Sequence, residues 1–240
     1  LPSFNKKLEN IDQTQSRGNV PLSKLERAAL KRMQDTPHYI SEGTTELVEA
    51  IGFDSISKML GYTDLDTFEG NKVLLRSVEG KNISIEKNFN DAFAVIDEIR
   101  KSTSELGNDE DVAVYYPVSI SKVGRHQFKG INPQNNKILR ALVTPTHSDL
   151  DMTNKEDQDA FWLTVAQASD LRKVENEDHS DILSTIQNQF NTEFKDALEI
   201  VSNWLKTGEI DGSKLAEAMG SNMIMTQLSA VIAVAELNFA

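Results

Sequence analysis

The chain runs mostly in stretches of helical period, with one stretch that is apolar almost without interruption. Behind Pro21, the spacing of Leu25, Ala28, Ala29 and Leu30 predicts a helix over Leu22 to Met33, ended by Pro37. Thr44 or Thr45 is placed to cap a second helix, Glu46 to Leu60, broken near Gly52. Lys72 to Val78 and Asn82 to Ile85 flank Glu79-Gly80-Lys81 and predict a hairpin. Phe89, Phe93, Ile96 and Ile99 stripe a third helix, Glu86 to Ser104, followed by a polar turn over Gly107 to Asp111. Val112 to Ile120 is rich in β-branched and aromatic residues, which predicts a buried strand. Ser121 to Gln134 then forms a loop, Asn136 to Leu142 a short helix, and Pro145 to Asp151 a second loop. Asn154 caps a helix from Lys155 to Ser169 that carries Phe161, Trp162 and Val165. Ile182, Ile186, Phe190, Phe194, Leu198 and Val201 stripe a longer one, Ser180 to Lys206. Gly208 and Gly212 bracket a turn, and two more helices follow. The expected fold is mainly α with a small β component, an α+β chain behind a polar arm at residues 1–20.

The last helix lacks a polar face. Such a helix is covered on every side, either by the earlier helices or by another chain that completes the core, and the two can hold together. Its apolar stretch, Met223 to Phe239, is broken by Thr226, Gln227, Ser229, Glu236 and Asn238, too short and too polar to span a bilayer. The polar start has no signal-peptide pattern. With no cysteine there is no disulfide, thiolate ligand or thiol nucleophile, which fits a reducing cytoplasmic setting. The four histidines, His38, His126, His147 and His179, lie too far apart in sequence for metal-ligand spacing.

Charge changes the picture most. The net charge is −12, yet the 37 residues from Val112 to Ser148 contain no Asp or Glu, where an even spread would place about six. The window holds Lys122, Arg125, Lys129, Lys137 and Arg140, with His126 and His147. Gly124 beside Arg125 lets a backbone come close while the guanidinium forks a phosphate. A helix start near Asn135 adds amide donors for the same anion. Many cations around a rigid turn suit gripping a nucleic-acid backbone rather than reading bases. A solvated basic loop is the plain alternative. Trp162 and Trp204 read as core, and His126 as a solvated loop histidine.

Ser121-Lys122-Val123-Gly124-Arg125, after an apolar strand and before Asn132-Pro133-Gln134 and a helix with Arg140, resembles the T/D-x-x-G-R motif of the single-subunit RNA polymerases of phages and mitochondria. Two departures are visible: Ser121 stands where Thr or Asp is usual, and the approach to Asn132 is one residue short. The resemblance covers about residues 86–240. It implies an N-terminal helical region with hairpin at 21–85, a thumb-like helix and turn at 86–111, and an N-terminal palm segment at 112–240. Asp211-Gly212-Ser213 superficially matches the family's first catalytic aspartate. Its polar context predicts a helix cap instead, so no catalytic residue is expected in this chain.

The resemblance then implies the N-terminal, small subunit of a heterodimeric phage DNA-directed RNA polymerase, in the cytoplasm of the infected host cell. A larger partner subunit would carry the catalytic aspartates and their Mg²⁺ ions. Lys122, Gly124, Arg125, Lys129, Lys137 and Arg140 would contact the DNA template, the RNA transcript or their hybrid. Two other classes stay open: a non-enzymatic nucleic-acid-binding regulatory subunit, and an acidic helical protein that binds another protein.

Overall fold

The computed structural model describes residues 2–4, 6–9, 22–66, 68–106, 112–120, 125–145 and 150–239. Most of the predicted arm, the turn over Gly107 to Asp111, and the residues Lys122, Gly124 and His147 lie outside them. The described residues are mainly α-helical with short strands. The chain divides into two units, Leu1–Ser41 with Asn88–His147, and Glu42–Lys87 with Ser148–Ala240.

In the first unit, α1 (Lys24–Gln34) starts at a full capping box. The Ser23 hydroxyl accepts from the Glu26 amide, and the Glu26 carboxylate accepts from the Ser23 amide. Such a cap contributes about 1 kcal/mol. Strand β1 (Ser3–Phe4) pairs antiparallel with β3 (Val114–Tyr115), and β2 (Tyr39–Ile40) with β6 (Val143–Thr144). His38 also bridges Val114, each amide donating to the other's carbonyl at 2.9 and 2.8 Å. The predicted strand Val112 to Ile120 is buried as expected but is two strands, β3 and β4 (Val118–Ile120). Tyr116 and Pro117 separate them, proline having no N–H to give a ladder. Val118 and Ile120 pack with Leu30 of α1 in one cluster.

The second unit is helical. In α2 (Glu42–Met59), Gly52 interrupts the helix at φ 72°, a conformation that side chains with a Cβ rarely adopt. This helix begins before Glu46, so Thr44 and Thr45 are buried within it rather than capping it. Next in sequence comes α3 (Lys72–Leu106), whose first part, to Lys87, belongs to this unit. Trp162 on α5 (Lys155–Ala168) packs on a core of Ala166, Ile182 and Ile186. The helix expected over Ser180 to Lys206 is two, α6 (His179–Glu193) and α7 (Lys195–Thr207). Phe194 leaves helical geometry between them at φ −104°, ψ 21°.

The start of α8 (Gly212–Met219) lies so close to α2 that a Cβ on Gly212 would sit 2.9 Å from the Ile51 carbonyl oxygen. Asp211 caps α8 by accepting from the Ser213 and Lys214 amides, and its carboxyl is held below the usual range chiefly by the Lys214 amide. The all-apolar last helix, α9 (Met225–Phe239), packs against α2, α5 and α7. Its buried surface is therefore met largely by the chain's own helices.

A further expectation is overturned. The segment Lys72 to Ile85 is not a hairpin but the start of α3. Asn71 caps it, its side-chain oxygen accepting from the Val73 and Leu74 amides. Val78, Asn82, Ile85 and Phe89 continue one helical stripe through Gly80. Asn82 fixes that register, exchanging two hydrogen bonds with the Thr63 backbone at 2.7 and 3.1 Å. Gly80 is exposed, and a Cβ added there would meet nothing within 4 Å. Gly80→Ala is therefore expected to stabilise the chain by up to about 1 kcal/mol, read as a raised denaturant midpoint. A lowered midpoint would mean that this glycine serves a turn.

Candidate nucleic-acid interface

Strand β4 turns back into β5 (His126–Phe128), a strand inside the segment expected to be a loop. The register is Val118 with Phe128, Ser119 with Gln127 and Ile120 with His126. The Lys129 amide donates to the Pro117 carbonyl at 2.8 Å. That makes Val118 and Phe128 a pair whose N–H groups point away from each other's strand. The outward Phe128 amide is instead taken by the Gln134 side-chain oxygen, at 2.8 Å.

The turn that supplies Gln134 is built on Asn132, which is fully buried. Its side-chain nitrogen donates to the Gly130 and Phe128 carbonyls, at 2.8 and 3.3 Å. Its side-chain oxygen accepts from the Gln134 and Asn135 amides, at 2.9 and 3.3 Å. Asn135 adds a bond to the Gly130 carbonyl. Asn136 then caps α4 (Lys137–Leu142) through the Ile138 and Leu139 amides, and its side-chain nitrogen donates to the Asn88 carbonyl at 2.7 Å. Buried amides and carbonyls of a turn must find partners or the fold loses on the order of 1–3 kcal/mol for each. Here asparagine side chains provide them.

Of the predicted site residues, Arg125 is exposed just before β5 and Lys129 partly exposed just after it. Lys137 is exposed at the first position of α4. Lys122 and Gly124, in the connection between β4 and β5, lie outside the described residues. Arg125, His126, Gln127, Gln134 and Asn135 line an open groove of about 370 Å³. Arg140 is placed differently. Its Nε and Nη2 donate to the Pro133 and Gln134 carbonyls, both at 2.8 Å. Reading the sequence for charge missed the amide framework. The run Asn132-Pro133-Gln134-Asn135-Asn136 was its signal, since asparagine makes such turns through its own side chain. Among the described residues no three of His, Asp and Glu gather as a metal site. No helix among them is long and apolar enough to cross a membrane.

Behind the hairpin lies an aromatic cluster. The His38 ring stands edge-on to Tyr116 and Phe128, centroids 5.1 and 5.6 Å away. Burial lowers the His38 pKa and raises that of Tyr116, and among the described residues neither the Tyr116 hydroxyl nor His38 Nδ1 has a hydrogen-bond partner.

The sequence matches the virion DNA-directed RNA polymerase domain over residues 25–143, and the plug insertion of the same polymerases over residues 158–238. The chain belongs to the phage RNA polymerase family. A relative is the virion DNA-directed RNA polymerase of Enterobacteria phage N4, 34% identical over 150 residues, which cover 61% of this chain. The same stretch is 4% of that relative's length. The first match contains the basic hairpin. The second begins after it, beyond the boundary at His147 and Ser148 where the contacts divide the chain.

The His38 cluster gives a test of the support beneath the hairpin. An unfolded chain binds the His38 proton below its ordinary pKa of 6.5, whereas the folded chain resists it until lower pH. Stability is therefore complete above that value and falls as pH drops below it. His38→Phe is expected to remove this part of the slope, seen by comparing denaturation midpoints of the two proteins between pH 7 and about pH 5.

Proposed function

We propose that this chain is the nucleic-acid-gripping segment of a phage DNA-directed RNA polymerase, holding the backbone of template DNA and of the RNA–DNA hybrid beside an active centre completed elsewhere. The carrying observation is the exposed basic hairpin, in a window without a single carboxylate, inside the stretch that matches a virion polymerase domain. Arg125 and Lys129 flank β5 and, with Lys122 and Lys137, supply the cations. Gly124, which has no Cβ, would let a sugar-phosphate strand approach. The hybrid is close to A-form, with a deep, narrow major groove, so contacts to phosphate and shape suit it better than base edges.

In this reading the catalytic aspartates and their Mg²⁺ ions lie outside residues 1–240, in a larger subunit or elsewhere in a longer polymerase chain. The small stretch of the relative that is matched fits either arrangement. The helices from Lys155 onward form an inserted body rather than part of a palm segment, a reading supported by the plug-insertion match.

The test is extension of an RNA primer on a DNA template, with Mg²⁺ and nucleotides, by this chain alone and with the remaining polymerase. Extension is expected only in the complete assembly. Arg125→Ala is expected to lower it at least tenfold without loss of assembly, and to flatten the salt dependence of hybrid binding by about one unit of slope. Binding to hybrid without extension in any assembly would favour the regulatory-subunit reading. Full activity of Arg125→Ala would remove the hairpin from the active centre.

A further inference from the structure

We infer that Arg140 is a positioning residue for the hairpin and not a phosphate contact. This rests on the function proposed above. Its side chain folds back from α4 over seven residues, and its two donors reach two consecutive carbonyls, those of Pro133 and Gln134. A planar guanidinium can hold two such acceptors at once in a fixed fork, whereas a lysine ammonium on its flexible stem cannot reproduce that geometry. The grip has a consequence one bond further on. With its carbonyl held, the Gln134 backbone is fixed, and its side-chain oxygen meets the outward Phe128 amide. Gln134 thus stands in for a third strand along the open edge of β5.

Arg125 and Lys129 are the residues immediately before and after that strand. Their placement therefore runs through a short chain of contacts, from Arg140 to the Pro133–Gln134 backbone, to the Gln134 amide group, to β5. Asn132 holds the Gln134 amide and the Gly130 carbonyl, and Asn136 ties the start of α4 to Asn88, so loss of Arg140 would free the Pro133 and Gln134 carbonyls and loosen the Gln134 side chain without unfolding the unit. Charge and placement then make opposite demands on substitutions. A phosphate contact survives replacement by lysine, and a two-carbonyl fork does not.

The experiment uses the whole chain and a short RNA–DNA hybrid duplex of fixed sequence, with affinity measured across a range of KCl. Wild type is compared with Arg140→Lys, Arg140→Ala and Gln134→Ala, each first checked for native circular dichroism. Hydrogen exchange of the Phe128 amide is read in the same proteins. The expected result is that Arg140→Lys weakens binding as much as Arg140→Ala, by about tenfold, and that Gln134→Ala matches both. The Phe128 amide should exchange faster in all three and unchanged in Arg125→Ala. Near-native affinity of Arg140→Lys, with the salt slope lowered by about one in Arg140→Ala, would make Arg140 a phosphate contact and overturn the inference. So would unchanged Phe128 exchange. A wild-type chain that binds no hybrid at all would instead overturn the functional reading on which the inference rests.

Discussion

Asn132 is the constraint on which the first unit's surface depends. An amide side chain has one acceptor and one doubly donating end, and here both ends face inward to satisfy the backbone on each side of a turn. Without it the Phe128 and Gly130 carbonyls and the Gln134 and Asn135 amides would each need another partner. With it, residues that carry no hydrophobic content of their own hold a defined path from β5 to α4. The fixed path gives the flanking basic residues fixed origins, which matters because a flexible cation loses conformational entropy on binding that a pre-placed one has already lost.

The same economy of anchoring is visible beneath the hairpin. The rings of His38, Tyr116 and Phe128 fill the space behind β4 and β5, while His38 ties its own backbone to Val114. Among the described residues the cluster leaves a histidine nitrogen and a tyrosine hydroxyl without partners. Each such group costs stability, and the favourable edge-to-face geometry of the rings offsets part of that cost. In the second unit the helices rely on a different device. Gly212 brings α8 against α2 at a distance that no side chain would permit, and α9 is held from several sides.

How far the sequence could be read depended on whether a local signal met a competing one. Asn154 caps a helix with nothing nearby to contradict it, and the structure has a helix there. Glu79-Gly80-Lys81 looks like a turn, and only the stripe from Val78 to Phe89 and the Asn71 cap argue otherwise, so β pairing was expected where a helix continues. The segment from Val112 to Ile120 was legible as buried strand because its side chains are apolar on both faces, but the interruption at Pro117 was not drawn. At the candidate site, the absence of acids singled out the window that contains β5 and α4, while the direction of the Arg140 side chain could not be read at all. A basic residue on a short helix can face solvent or bend back onto a turn, and no periodicity distinguishes these. The side-chain arithmetic of the asparagines was available in principle, because a run of Asn and Gln around one proline has more hydrogen-bonding capacity than a solvated loop requires.

The acid-free window also bears on how a polyanion would arrive. A body of net charge −12 repels a nucleic acid at any separation within the Debye length, about 8 Å at physiological salt. Approach is least unfavourable where carboxylates are missing, so the acidity of the rest of the molecule acts as an orientation filter. In the proposed function, collisions over acidic surface would be turned away before contact, and those over the hairpin would not. The chain would then gain selectivity of docking from the residues that never touch the ligand, at the expense of encounter rate in dilute salt. In the proposed function, added salt would speed encounter by screening the body while weakening the hairpin's hold, two opposing effects that originate in different parts of one charge pattern.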